Sequence, residues 1–202
     1  MSFEVEKQKF LTMPLEEKRK YYKGSVITLD QIPTWVEYWT KNKGNIGITN
    51  LEKVEKVEEE MAKKISIWQG DITSLEIDAI VNAANSSLLG GDIRIDKVYK
   101  NNWGLYVGLY FHGCEKPEKL KDCYENSLTV ARANELRTIA FPCISTGIYG
   151  YPQRPAAKVA ISTVKKFLLD NKDSVDRVIF CLFLKTDKDI YEELLQKYFA
   201  ID

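Results

Sequence analysis

The stretch Thr138-Ile139-Ala140-Phe141-Pro142-Cys143-Ile144-Ser145-Thr146-Gly147-Ile148-Tyr149-Gly150-Tyr151-Pro152 begins as an apolar strand at 138–144 and turns into a loop with two glycines. A helical pattern follows at 154–169. Strand, glycine-bearing loop and helix together form an arrangement whose backbone N–H groups and helix dipole hold phosphate. It is not a Walker loop, because no Gly-Lys-Ser/Thr follows a suitable glycine spacing. The chain also lacks Gly-x-Gly-x-x-Gly.

Outward from this segment, strands and helices alternate. Strands are expected at 65–68, 79–83 and 177–184, and helices at 118–134 and 187–198, the last capped by Thr186 or Asp187. Leu120, Tyr124, Leu128 and Ala131 recur at three- or four-residue spacing and give 118–134 one apolar face. Strands joined through helices imply an α/β fold with a largely parallel sheet covered on both faces.

Residues 1–64 differ and read as an N-terminal helical extension followed by a charged linker. A short helix is expected at 13–22, with Pro14 in its first turn, and a second at 32–39 whose aromatics dock on the main domain. The run 51–64 is a charged helix with Leu51, Val54 and Val57 on one face and the remainder solvated.

In a parallel sheet, ligands sit beyond the carboxyl ends of the strands. Two further loops lie there. Gly70-Asp71-Ile72-Thr73 offers a carboxylate that either accepts from an exocyclic amine or caps its own turn. Val81-Asn82-Ala83-Ala84-Asn85 leads through small residues to Gly90-Gly91, with Asn82 read as satisfying buried backbone and Asn85 as a ligand group.

Composition sets the bounds. Hydrophobic residues make up 45% of 202, and 29 basic residues balance 29 acidic ones, so no net field draws nucleic acid or an anionic membrane. Four scattered cysteines and a single histidine, His112, give no metal-ligand spacing, and the thiols read as reduced and mostly buried. The expectation is an intracellular protein of nucleus or cytoplasm, mitochondrion included, monomeric, without metal or cofactor.

In this order, the three loops resemble a macrodomain of the MacroD type, as do the 13–24 and 27–35 segments of the extension. The resemblance implies a three-layer α/β/α sandwich with a mixed, largely parallel sheet, spanning 65–202. It implies ADP-ribose or mono-ADP-ribosylated proteins as ligands. The implied reactions are removal of single ADP-ribose units from acidic side chains and cleavage of O-acetyl-ADP-ribose. Asp71 and the backbone of Ile72 would hold adenine, and Phe183 would stack on it. Ser145, Thr146, Gly147, Ile148 and Tyr149 would wrap the diphosphate. Tyr149 would cover the distal ribose and Asn85 would bond it near the anomeric carbon. A bound water would attack that carbon, so positioning rather than a triad carries the chemistry. His112 is read as incidental.

The resemblance breaks after Gly91. The expected glycines, Val-Asp pair and His/Arg helix are replaced by the shorter 92–104, in which Asp92 and Asp96 are the candidates for the missing catalytic aspartate. The strand-like 105–111 is expected to close the sheet before the next helix. Three readings therefore stand: an active hydrolase, a non-catalytic ADP-ribose-binding module, and a structurally compromised variant.

Overall fold

A computed structural model describes residues 9, 12–22, 24–47, 56–84, 107–110, 116–147 and 150–201. The expectations for Asn85, Asp92, Asp96, Ile148 and Tyr149 lie outside the described residues. In chain order the elements are α1 (Leu15–Arg19), β1 (Ile27–Thr28), α2 (Trp35–Asn42), α3 (Lys56–Ala62), β2 (Ile65–Gln69), β3 (Leu75–Glu76) and β4 (Ala79–Ala84). They continue with β5 (Val107–Tyr110), α4 (Pro117–Ala133), β6 (Thr138–Pro142), α5 (Gln153–Asp170), β7 (Arg177–Leu182) and α6 (Lys185–Tyr198).

The apolar runs pair as a five-stranded sheet in the order β2-β7-β6-β4-β5, every pairing parallel. Buried on both faces, such strands read as near-continuous apolar sequence. Val107–Tyr110 pairs with β4, Val81 opposite Val107, which is where the strand-like segment was expected to close the sheet.

One face carries Ile65, Ile67, Val81, Ile139, Phe141, Val178 and Phe180, and α4, α5 and α6 pack on it in a single core. The other carries Ala140, Ile179 and half-buried Ile80, covered by Ile27, Leu29, Ile32, Ile72 and Leu75. The layer on this second face is therefore built partly from the extension. Register explains the split, since alternate residues of a strand point to opposite faces.

The aromatics of the extension dock as expected, with Trp35 and Trp39 buried in the main core. α2 begins later than the expected 32–39, because Pro33 keeps Ile32 extended and Thr34 caps the helix, accepting from Glu37 N at 3.2 Å. The charged run is not solvated throughout: Met61 and Ala62, at the end of α3, are buried in the core.

Candidate functional site

The strand order sets out a row along the carboxyl edge. Asp71 follows β2, Phe183 follows β7, the 143–147 loop follows β6, and β4 runs toward Asn85. Neighbouring strands lie about 4.8 Å apart, so the row spans roughly 14 Å.

At one end, Asp71 caps a short 3-10 turn, Ile72–Ser74. Its Oδ1 accepts from Thr73 N at 2.9 Å and from Thr73 Oγ1 at 2.8 Å. The capping role is thus present. An exposed carboxylate has about four lone-pair sites and keeps capacity for a ligand amine. Ile72 is half-buried against the second face. The Trp68 ring lies over Gly70, where a Cβ would meet Cη2 at 2.4 Å, so only glycine allows this approach.

Phe183 departs from the sequence expectation that the strand runs to residue 184. β7 ends at Leu182, and the Phe183 ring is 85% exposed beyond it. Without the family resemblance this residue reads as strand core, and the structure removes that reading. The strand stops because the next residues enter α6, with Leu184 as its N-cap. Neither Thr186 nor Asp187 holds the cap position. Asp187 instead reaches back from inside the first turn to accept Leu184 N at 3.1 Å.

The strand expected at 138–144 likewise ends at Pro142 and gives way to the loop. Thr146 Oγ1 donates to Cys143 O at 3.2 Å, Tyr151 N to Ser145 O at 3.0 Å, and Gly150 N to Gly147 O at 2.9 Å. Gly150 adopts a φ of 64°, and Ser145 a φ of 68° without being glycine. That conformation costs about 1–2 kcal/mol for an L-residue. Ser145 is 7% exposed, and its Oγ has no hydrogen-bond partner among the described residues. α5 then starts after Pro152, with no acidic residue in its first turn, so its positive end is not neutralised locally. A helix start without an acidic neighbour is a favourable place for an anion.

Beneath the row lies a buried polar group of residues that sequence reasoning did not single out. Asp187, Tyr124 and Tyr191 are all under 5% exposed. Burial, and next the charge of Asp187, push the Cys143 thiol up to about 12. The Cys143 thiol lies 3.9 Å from Cys181 O on the neighbouring strand. Burial raises Tyr124 strongly, opposed by hydrogen bonds from Tyr191 and from the Ile144 backbone. The only sequence signal is a hydroxyl on the apolar face of 118–134, which does not reveal a partner.

Among the described residues there is no cluster of three metal-ligating side chains. No helix there is long and apolar enough to cross a membrane.

Comparison with known proteins agrees with this geometry. The Macro domain family model matches residues 104–160. The ADP-ribose glycohydrolase MACROD2 of Xenopus laevis is 41% identical over 98% of this chain and 54% of its own length. The chain spans about half the length of the MACROD2 relatives it matches. An O-acetyl-ADP-ribose deacetylase of Klebsiella pneumoniae is 36% identical over 68% of this chain and 99% of its own length. A Trypanosoma brucei macrodomain in complex with ADP-ribose shares the fold, with a TM-score of 0.64 at 24% identity, covering 93% of this chain and 88% of that one. The frog alignment runs over 232 residues, longer than the 202 of this chain, so the relative carries positions that are missing here. With its α/β sandwich, its row of loops and these relatives, the chain belongs to the macro domain family.

Proposed function

We propose that this chain binds ADP-ribose along the carboxyl edge of the sheet and hydrolyses single ADP-ribose units from acidic side chains of proteins. O-acetyl-ADP-ribose is the second substrate. The observation that carries the reading is the placement of Asp71, Phe183 and Ser145–Gly147 on the ends of three consecutive strands, β2, β7 and β6. Adenine stacks on the exposed Phe183 ring with its amine toward Asp71, and the diphosphate lies in the loop before α5. The distal ribose then falls toward the end of β4; its engagement by Asn85 and Tyr149 is what the family resemblance implies. Water adds at the anomeric carbon while the bond to the carboxylate oxygen breaks, leaving ADP-ribose and a free acid.

A second reading, a module that binds without cleaving, is favoured by one observation. The chain lacks positions that its relative has, and the family match starts only at residue 104, past the segment where a catalytic aspartate is expected. A thermal melt with and without saturating ADP-ribose, with AMP as control, tests binding. A ligand at a hundred times its Kd adds about 2.7 kcal/mol of stability. A cooperative transition that ADP-ribose raises more than AMP supports the site. A broad transition indifferent to ligand supports instead a compromised variant. Release of ADP-ribose from a glutamate- or aspartate-modified protein then separates hydrolase from module.

A further inference from the structure

β3 follows the Asp71 turn at once, and it is not part of the five-stranded sheet. Among the described residues it pairs only with β1 of the extension, Ile27 opposite Leu75 and Thr28 opposite Glu76. Two residues a side make a marginal ladder. Side chains from the segment around α1 reinforce it. Arg19, at the end of α1, donates to Glu76 as a fork, Nε to Oε1 and Nη2 to Oε2, each at 2.8 Å. Glu76 is the shielded partner, its side chain 16% exposed against 44% for Arg19. Tyr22 lies one turn on, and its hydroxyl donates to Leu75 O at 3.2 Å. Leu75 is buried, with Ile27, Leu29 and Ile72 packed in the same cluster.

These contacts reach the ligand end of the turn through the backbone. Leu75 N–H bonds Ile72 O and closes the 3-10 turn, while Leu75 O takes the Tyr22 hydroxyl. Inside the turn, Ser74 N donates to Asp71 O at 2.8 Å, and Thr73 N and Oγ1 hold the Asp71 carboxylate. The orientation of that carboxylate is thus tied to a guanidinium and a phenol of the extension. A bidentate Arg–carboxylate pair fixes direction as well as distance. Hydrogen bonds weaken steeply with angle, and an acceptor already held in its bound geometry costs less to order.

We infer that Arg19 and Tyr22 are positioning residues for base recognition. By holding β3 they hold Asp71 at the angle that tells a purine amine from a purine carbonyl. The inference rests on the ADP-ribose reading above. Neither residue touches the ligand; both act through the backbone of β3 and the turn before it. The extension therefore serves the choice of base as well as the stability of the fold.

The test is calorimetric titration of wild type, Arg19→Ala, Glu76→Ala and the double variant, each protein's fold checked by its melt. The ligands are ADP-ribose and its hypoxanthine analogue, which carries a carbonyl in place of the adenine amine. Wild type is expected to prefer ADP-ribose by about tenfold. Arg19→Ala should narrow that preference about threefold, weakening ADP-ribose and leaving the analogue near its wild-type value. Because Arg19 acts on β3 through Glu76, Arg19→Ala should add nothing in the Glu76→Ala background. An unchanged preference in a folded Arg19→Ala, equal weakening of both ligands, or a full Arg19→Ala effect without Glu76 overturns the inference. So does a wild type that binds both ligands alike. If Arg19→Ala does not fold, Tyr22→Phe, which removes only the hydroxyl, replaces it; an unchanged preference there also overturns the inference. Should the wild type bind neither ligand, the ADP-ribose reading fails by itself. The hold on the turn is then read by amide exchange, which Arg19→Ala must speed at Thr73 and Ser74 and must not speed at Ile139 and Ala140 in β6.

Discussion

The indole N–H of Trp35 donates to the carbonyl of Phe199 at 3.0 Å, closing the N-terminal extension onto the residue that caps α6. Trp35 is fully buried and packs against Tyr38 and Trp39 at 5.8 and 5.9 Å between ring centroids. Trp35→Ala removes both the ring and the bond, and is expected to cost about 3–5 kcal/mol. Domains of ordinary stability hold about 5–15 kcal/mol, so the urea midpoint should fall steeply. A loss under about 1 kcal/mol would mean that the extension is not part of the folding unit.

Phe183 is so exposed that its side chain adds little to stability. Phe183→Ala should change the unfolding free energy by no more than about 0.5 kcal/mol. The same change should weaken ADP-ribose by about 1–3 kcal/mol, the worth of one stacked base. Titration and denaturation of the same sample check both halves; a large stability loss without an affinity loss would assign the ring to packing.

On the proposed reading, Asp71 has two tasks that substitutions can separate. Asp71→Ala removes the cap, at about 1 kcal/mol, and the acceptor for the adenine amine, at about 1–3 kcal/mol of affinity. Asp71→Asn keeps a carbonyl oxygen that can cap or accept, so it should lose little stability and less affinity than the alanine variant. Equal affinity in all three proteins would show that adenine is not read here.

The left-handed backbone at Ser145 predicts a gain on substitution by glycine. Ser145→Gly relieves about 1–2 kcal/mol of strain, less the extra freedom that glycine has when unfolded. Its melting midpoint is expected to match or exceed wild type, while Ser145→Val, β-branched at a positive φ, is expected to fall well below. A Ser145→Gly protein less stable than Ser145→Val would refute the conformation.

Alkaline pH should destabilise the fold. Burial pushes Cys143 and Cys181 from 9.0 up to about 12, helped by the charges of Asp187 and Asp71 respectively. A group whose pKa rises on folding contributes fully below its unfolded value, and the contribution is lost as pH climbs toward the folded value. Stability should therefore drop progressively between pH 9 and 12, and Tyr22 and Tyr38, raised mainly by burial, add to it above 10. Urea midpoints across pH 7 to 10.5 read this. A Cys181→Ala variant should show a shallower fall; an identical slope would exclude that thiol as a contributor.

Much of the sheet is legible in the sequence because buried parallel strands announce themselves as apolar runs such as 138–141 and 178–182. Their ends are less so. Nothing in Leu182-Phe183-Leu184 marks where the strand stops, since the stop depends on Asp187 turning back to take Leu184 N–H. The burial of Met61 and Ala62 is decided by docking against the core, which a local charge pattern does not carry. For the site, Asp71 and the 143–147 loop are legible from chemistry and from their position at strand ends. The approach of Cys143 to the Cys181 carbonyl is not, because it forms between residues far apart in sequence that meet only when β6 and β7 pair.

The parallel order of β2, β7, β6 and β4 also makes the sheet a ruler. Its marks are set by backbone hydrogen bonding, which is indifferent to side-chain identity, so changes beyond Ala84 do not move the first three. On the proposed reading, such a ruler grades ligands by length: a nucleoside reaches the first marks, a nucleoside diphosphate the third, and only a molecule with a further sugar the fourth. On that reading, the positions missing here relative to the frog protein bear on the last sugar and leave the measure of everything before it in place.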